Sequence, residues 1–281
     1  MTTPLQAFDL ETFLELAPQW RGRTYYFPSI GSTNREGRER LQAPGGPSEM
    51  VLLADKQVAG RGRLNRTWEA PFASGLLCTL TLPLAPLALD RAYLYTATLA
   101  LSLQKAVWQE TGVELALKWP NDLLREGRKC CGILAELEHG LGPGKANSWL
   151  VLGFGLNTAL TDRDFAEAGI LDKATNVTPP GMSPVNREPL LAATLAAFGE
   201  YRQRLATEPE AVRQEWASRL VTLGQEVQVL NVSGQIGEPV LSGVAVGVDP
   251  SGGLLVRDAT GQTRLVQAGD VSVRLAGGRY A

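Results

Sequence analysis

Between Gln57 and Trp68 the chain reads Gln-Val-Ala-Gly-Arg-Gly-Arg-Leu-Asn-Arg-Thr-Trp. Gly60, Gly62, Arg61, Arg63 and Arg66 therefore crowd into one short run, just after the apolar segment Met50-Val-Leu-Leu-Ala. A guanidinium presents a planar fork of donors matched to phosphate or carboxylate, and glycine lets the backbone approach a ligand closely. Such a loop is either an anion cradle or a solvated basic turn, and its own residues do not separate the two. Further on, Lys118-Trp-Pro-Asn-Asp122 sets a cation and a carboxylate about a proline, and Lys129 precedes the apolar run Cys130-Cys-Gly-Ile-Leu. A lysine there is an exposed edge residue or a charge aimed at a ligand. Ser32-Thr-Asn34 can cap a helix or hydrogen-bond a neutral polar ligand. Gly153-Phe-Gly-Leu-Asn157 carries a Gly-X-Gly whose plainest meaning is close packing.

Regular elements must position these groups. Apolar spacing predicts a short helix over 8–16, and 94–108, free of Gly and Pro and apolar on nearly all sides, predicts a buried one. Residues 23–27, 50–54, 75–82 and 148–157 read as strands. Residues 113–119 and 128–136 read as strands of a hairpin turning at Glu126-Gly127, with Lys118 and Asp122 near one end and Lys129 on the returning arm. Pro44-Gly-Gly-Pro47 and 140–144 read as loops. The Pro- and Gly-bearing stretch 161–184 reads as a long polar loop with one helical turn at 164–168, followed by helices over 189–206 and 210–220. After Gly224 short Val-rich strands at 226–230, 239–248, 254–257 and 263–266 predict a small β-barrel or sandwich.

At 281 residues the chain has room for one large domain and a small one. With 44% hydrophobic and 20% charged residues it falls among soluble globular proteins rather than disordered or fibrous ones. A formal net charge of -2 supplies no general field for nucleic acid, so no DNA partner is expected. Neither a signal peptide nor a membrane span is legible, which predicts a cytoplasmic protein without a membrane partner. Cys78, Cys130 and Cys131 lack metal-ligand spacing and read as reduced, buried fillers, and a lone His139 argues against Ser-His-Asp or His-rich metal chemistry.

Taken in order, Ser32-Thr-Asn34, the 57–68 run, Lys118-Trp-Pro-Asn-Asp122, Lys129-Cys-Cys-Gly-Ile-Leu-Ala-Glu136, Gly153-Phe-Gly-Leu-Asn157 and Gly269-Asp-Val-Ser-Val-Arg274 resemble the biotin protein ligases from Tyr26 to the C-terminus. The resemblance implies an α+β fold. A class II aminoacyl-tRNA synthetase-like catalytic domain, a mixed β-sheet with helices, is expected over 1–222, and an SH3-like β-barrel over 223–281. It also implies a two-step reaction. Biotin's carboxylate attacks the α-phosphate of MgATP to give biotinyl-5′-AMP, and a lysine of a biotin carboxyl carrier protein then attacks the mixed anhydride.

By the same resemblance Lys129, Arg63 and Asp122 are catalytic. Ser32, Thr33, Asn34, Gln57, Gly60, Arg61, Gly62, Arg63, Lys129 and Gly132 bind biotin. Arg63, Arg66, Trp68, Lys118, Asn121, Asp122 and Asn157 bind ATP, with Asn121 and Asp122 towards Mg²⁺. Asp122 serves either Mg²⁺ or the acceptor lysine. Asn65 stands where the family usually has glycine, and asparagine tolerates the positive φ such a turn can need. The segment before Tyr26 is too short for the helix-turn-helix domain of bifunctional members, so a monofunctional ligase, monomeric or homodimeric, is expected. Lipoate and octanoate ligases share the fold and the acyl-to-lysine chemistry, but their Arg-Arg and Gly-Gly-Gly loop with a following histidine is missing here. A biotin-sensing regulator without activity would not need both Lys129 and Arg63.

Overall fold

The computed structural model describes residues 5–43, 49–84, 92–140, 148–231, 239–267 and 271–275. The expected loops at 44–47 and 141–144, and Gly269 with Asp270, lie outside these. In chain order the elements are α1 (Leu10–Leu16), β1 (Thr24–Phe27), α2 (Thr33–Gln42), β2 (Met50–Ala54), β3 (Gly75–Leu84), α3 (Leu94–Thr111), β4 (Ala116–Lys118), β5 (Asp122–Arg125), β6 (Arg128–His139) and β7 (Ser148–Asn157). Helices α4 (Asp162–Glu167), α5 (Arg187–Thr207) and α6 (Pro209–Ser218) follow. Strands β8 (Glu226–Asn231), β9 (Leu241–Val248), β10 (Leu254–Arg257), β11 (Thr263–Val266) and β12 (Val271–Leu275) end the chain. The strand expected over 113–119 is shorter, only β4, and the helical turn of the 161–184 stretch begins at Asp162, where a Thr161–Asp164 capping box starts it.

Strands β1 to β7 form a seven-stranded sheet in the order β1-β2-β3-β7-β6-β5-β4. The β1–β2 pair is parallel and the others are antiparallel, so the sheet is mixed as expected. Period-two alternation gives its two faces different work. Leu150, Leu152, Phe154 and Leu156 of β7 join the main core with α3 and α5, whereas Trp149 and Val151 meet Leu41 of α2 on the opposite side. On that second face the register aligns Leu52, Thr79, Gly153 and Leu134 in one row and Leu77, Gly155, Gly132 and Asp122 in the next. Small residues in the middle of both rows hollow the face into a trough.

Strands β8 to β12 form a five-stranded antiparallel sheet, β11-β10-β9-β8-β12, the SH3-like unit expected at the C-terminal end. It is joined to the first sheet by buried bonds. Trp119 donates its amide to Thr222 Oγ1 (3.0 Å) and its indole N–H to the Gly252 carbonyl (2.9 Å). Leu220 bridges Leu117 of β4. Val227, Ala245 and Leu254 then belong to the same hydrophobic core as α3 and α5. Among the described residues no helix is long and apolar enough to cross a membrane.

Candidate active site

The trough holds a pocket of about 240 Å³, lined by every residue expected for the site except Gly60. Gly60 has a different reason to be glycine, since a Cβ there would run into the carbonyl of Trp68. The 57–68 segment is a narrow ladder folded over the trough. Trp68 N donates to Gly60 O (3.0 Å), Gly62 N to Arg66 O (2.7 Å), and Arg61 bridges Thr67. Its tip is a single turn, Arg63–Asn65, in which Leu64 is left-handed (φ 60°, ψ 37°). The left-handed position expected at Asn65 thus falls at Leu64, a conformation that costs a branched side chain energy.

The ladder delivers its side chains in different directions. Arg61 and Arg66 are exposed, while Arg63 turns in and donates to Asn121 Oδ1 at 3.1 Å. Trp68 folds back so that its ring lies on the glycine row. A Cβ on Gly155 would meet its Cε2 at 2.5 Å, and one on Gly132 its Cζ3 at 3.0 Å. The Gly-X-Gly of β7 is therefore a seat for Trp68 and for Asn34, whose amide occupies the space above Gly153. The indole Nε1 of Trp68 is buried against the glycine floor, 2.6 Å from where a Cβ on Gly155 would stand, and has no hydrogen-bond partner among the described residues.

Lys129 reaches this face through an irregularity. The register of β5 with β6 slips between Leu123 and Leu124, which pair with Cys131 and Lys129 respectively, leaving Cys130 as a bulge. The bulge returns Lys129 to the face of Gly132, whose Cβ would lie 2.8 Å from Lys129 Nζ. Strand β6 is interior to the sheet, so the alternative of an exposed edge lysine falls. Lys129 Nζ stands 2.5 Å from Asp122 Oδ1 and 5.5 Å from the centroid of the Trp68 ring. Its backbone is gripped by the 173–175 segment, with Lys129 N donating to Lys173 O (2.8 Å) and Thr175 N to Lys129 O (2.9 Å). Lys118, from the end of β4, is 5% exposed beside the same pocket.

At the α2 end, Gln57 Oε1 accepts from Thr33 N (2.7 Å) and lies 3.1 Å from Thr33 Oγ1. Ser32 is the N-cap of α2 but makes no side-chain capping bond, so the capping expectation fails for its hydroxyl. Asn121 is fixed at both ends of its amide, by Arg63 and by donation to Ile133 O (2.6 Å). Asn157 donates to Thr175 O (3.1 Å) and so ties β7 to the segment gripping Lys129. Burial pushes the neighbouring Tyr93 hydroxyl well above its ordinary range, and it stays a neutral donor to the Pro120 carbonyl. Among the described residues no three His, Cys, Asp or Glu side chains converge as a metal cage.

The apolar wall formed by Leu160, Phe165, Ile170 and Ala174 was not foreseen. All but Leu160, which just precedes it, sit in the stretch read as a polar loop, and Leu160, Phe165 and Ala174 make a small core of their own. Phe165, Ile170 and Leu171 among polar neighbours were the available signal.

A mixed sheet that gathers a lysine, an inward arginine and a carboxylate under a glycine-arginine ladder, with a small antiparallel sheet docked beside it, defines an acyl-activating ligase. Residues 26–148 match the biotin/lipoate A/B protein ligase family, and residues 222–274 match the biotin protein ligase C-terminal domain. The biotin--acetyl-CoA-carboxylase ligase of Paracoccus denitrificans is 33% identical over 243 residues, covering 85% of this chain and 96% of that one. The bifunctional ligase/repressor BirA of Bacillus subtilis is 26% identical over 244 residues, covering 86% of this chain and 72% of that one. Among solved structures, the biotin protein ligase of Aquifex aeolicus in complex with biotin and ATP superposes with a TM-score of 0.71 at 25% identity, covering 91% of this chain and all of that one. The chain belongs to the biotin protein ligase family, and it is an enzyme of the ligase class.

Proposed function

We propose that the trough binds biotin and ATP side by side, forms biotinyl-5′-AMP, and passes the biotinyl group to a lysine of a biotin carboxyl carrier protein. The observation carrying this reading is the placement of Lys129 Nζ, Arg63 and the Trp68 ring around one pocket whose floor is glycine. A free carboxylate is a poor acyl donor. Its oxygen attacks the α-phosphorus, the bond to the β-phosphate bridge breaks, and pyrophosphate departs with its electron pair. The acceptor amine then attacks the acyl carbon, AMP leaves, and a carboxylate at the site, Asp122, takes the surplus proton.

Both steps gather negative charge on one phosphate, and positioned cations stabilise it most where water is excluded. Lys129 bridges the biotin carboxylate and that phosphate, and Arg63 clamps the phosphate from the ladder. Gln57, its Oε1 held by Thr33, turns its Nε2 towards the ligand as a donor. Trp68 walls the nucleotide, with Asn157 and the Leu160–Phe165 cluster on its far side. Mg²⁺ comes with the nucleotide as substrate. One carboxylate and one amide oxygen, from Asp122 and Asn121, suit an ion that takes most of its ligands from phosphate and water, and the ion supplies charge neutralisation when bound. Three free buried thiols and the use of ATP fit a cytoplasmic site of action.

Biotin-dependent exchange of labelled pyrophosphate into ATP, followed by transfer to an apo carrier domain, tests the reading. Exchange and transfer with biotin but not with lipoate is the expected result. Exchange driven by lipoate, or none with either acid, would overturn it.

A further inference from the structure

Beneath the pocket a row of polar side chains crosses the sheet, and its direction is set by one charge. Glu136 on β6 accepts from Asn34 Nδ2 at 2.7 Å with Oε2, and from Arg38 at 3.4 Å with Oε1. A carboxylate only accepts, so the Asn34 amide has to turn its nitrogen to Glu136 and its oxygen to Thr79. Asn34 Oδ1 also only accepts, which commits the single hydroxyl hydrogen of the fully buried Thr79 to it, at 2.6 Å. Thr79 Oγ1, its hydrogen spent on Asn34, then faces Thr33 Oγ1, 2.8 Å away, as an acceptor, and the hydrogen of Thr33 is held between Thr79 and Gln57 Oε1, 3.1 Å off. What Thr33 presents to the pocket is a lone pair, the partner that an N–H of a cyclic urea requires.

We infer that Glu136 is a positioning residue for the biotin head group, acting through Asn34, Thr79 and Thr33 to hold the pocket floor in its accepting state. This rests on the biotin reading above. The same carboxylate pins α2 to the sheet through Arg38, which Glu138 also holds at 3.3 Å. The clamp and the relay therefore have to be separated by experiment.

Glu136→Gln keeps size and shape but lets the amide at 136 donate to Asn34, so that Asn34 and Thr79 can reverse and the Thr33 hydrogen is no longer drawn to Thr79. The KM for biotin is expected to rise about tenfold, the scale of one lost buried hydrogen bond, with kcat within about threefold and the KM for ATP unmoved. Adding Asn34→Asp to that variant moves the carboxylate to position 34, where it accepts from Thr79 and from the new amide, and most of the biotin KM should return. Arg38→Ala removes the clamp and leaves the relay, so it should lower the melting temperature without changing the biotin KM.

An unchanged biotin KM in Glu136→Gln overturns the inference. So does an equal rise in Arg38→Ala, because the carboxylate would then act only by fixing the helix. Calorimetric titration of wild type with biotin separates the two levels. Tight binding by both wild type and Glu136→Gln sinks this inference alone, and no binding by wild type sinks the biotin reading with it.

Discussion

Lys129 owes its place to a bulge, and its neighbours are a carboxylate and an aromatic face. Removing it should leave the sheet intact, since the backbone bonds to Lys173 and Thr175 remain. The Lys129→Ala variant is expected to lose about 10²–10³-fold in pyrophosphate exchange, the usual cost of deleting one preorganised stabiliser of developing charge. Its melting temperature should stay close to wild type, and a variant retaining near-native exchange would remove Lys129 from the mechanism. At this scale the chain was informative about chemistry and silent about direction. The arginines, Lys129 and Asp122 could be singled out by type and spacing. That Lys129 shares a face with Gly132 could not, because strict alternation over three residues puts them on opposite faces and only the slipped register reunites them. Glu136 was hidden for a similar reason. Nothing in the sequence tells which helix residue lies across the sheet from it.

Two elements hold the lid. At its tip the ladder carries Arg61 and Arg66 exposed with a left-handed Leu64 between them. Like charges in one short segment repel until an anion arrives, so the tip should open readily. Trypsin is expected to cut at Arg61 or Arg66 in the ligand-free protein and to be blocked by biotin with ATP. Equal cleavage under both conditions would show that the loop does not close. The base of the ladder is anchored differently. Asp55, fully buried, accepts from Arg187 of α5 (2.6 Å), Tyr26 of β1 (2.5 Å) and the Phe8 amide (3.1 Å). Replacing Asp55 by Asn leaves the Arg187 charge buried without its counter-ion, and about 3–5 kcal/mol of stability should go, read from urea unfolding. Strands and long helices were readable because their apolar periods are strong. The 161–184 stretch was not, because Phe165 and Ala174 pack with Leu160 beside the pocket while Val177 enters the main core, and no period links them.

At the scale of the whole molecule the neutral forms of buried groups set an alkaline limit. Burial, helped by donation to Asp55, pushes the Tyr26 hydroxyl from its ordinary 10 up to about 12, and burial pushes the Cys130 thiol from 9 up to about 12. Both groups hold their protons more tightly folded than unfolded. Their contribution to stability is therefore complete below about pH 9 and is lost as pH rises from there through 12. Urea midpoints should be flat below that window and fall across it, less steeply in Tyr26→Phe. The three thiols, all free and buried, should react with a disulfide reagent only on unfolding. That two sheets would form was readable from the change of composition near Gly224; that they share an interior was not, since Trp119 gives no sign in the sequence of bonding to Gly252. The shared interior has a practical side. If the chain were split between Leu223 and Glu226, the larger fragment would lose the acceptor of its Trp119 indole and expose the surface that Val227 and Leu254 cover. Made alone it should aggregate, and made in the same cell as its missing piece it should reassemble into an active, two-fragment ligase.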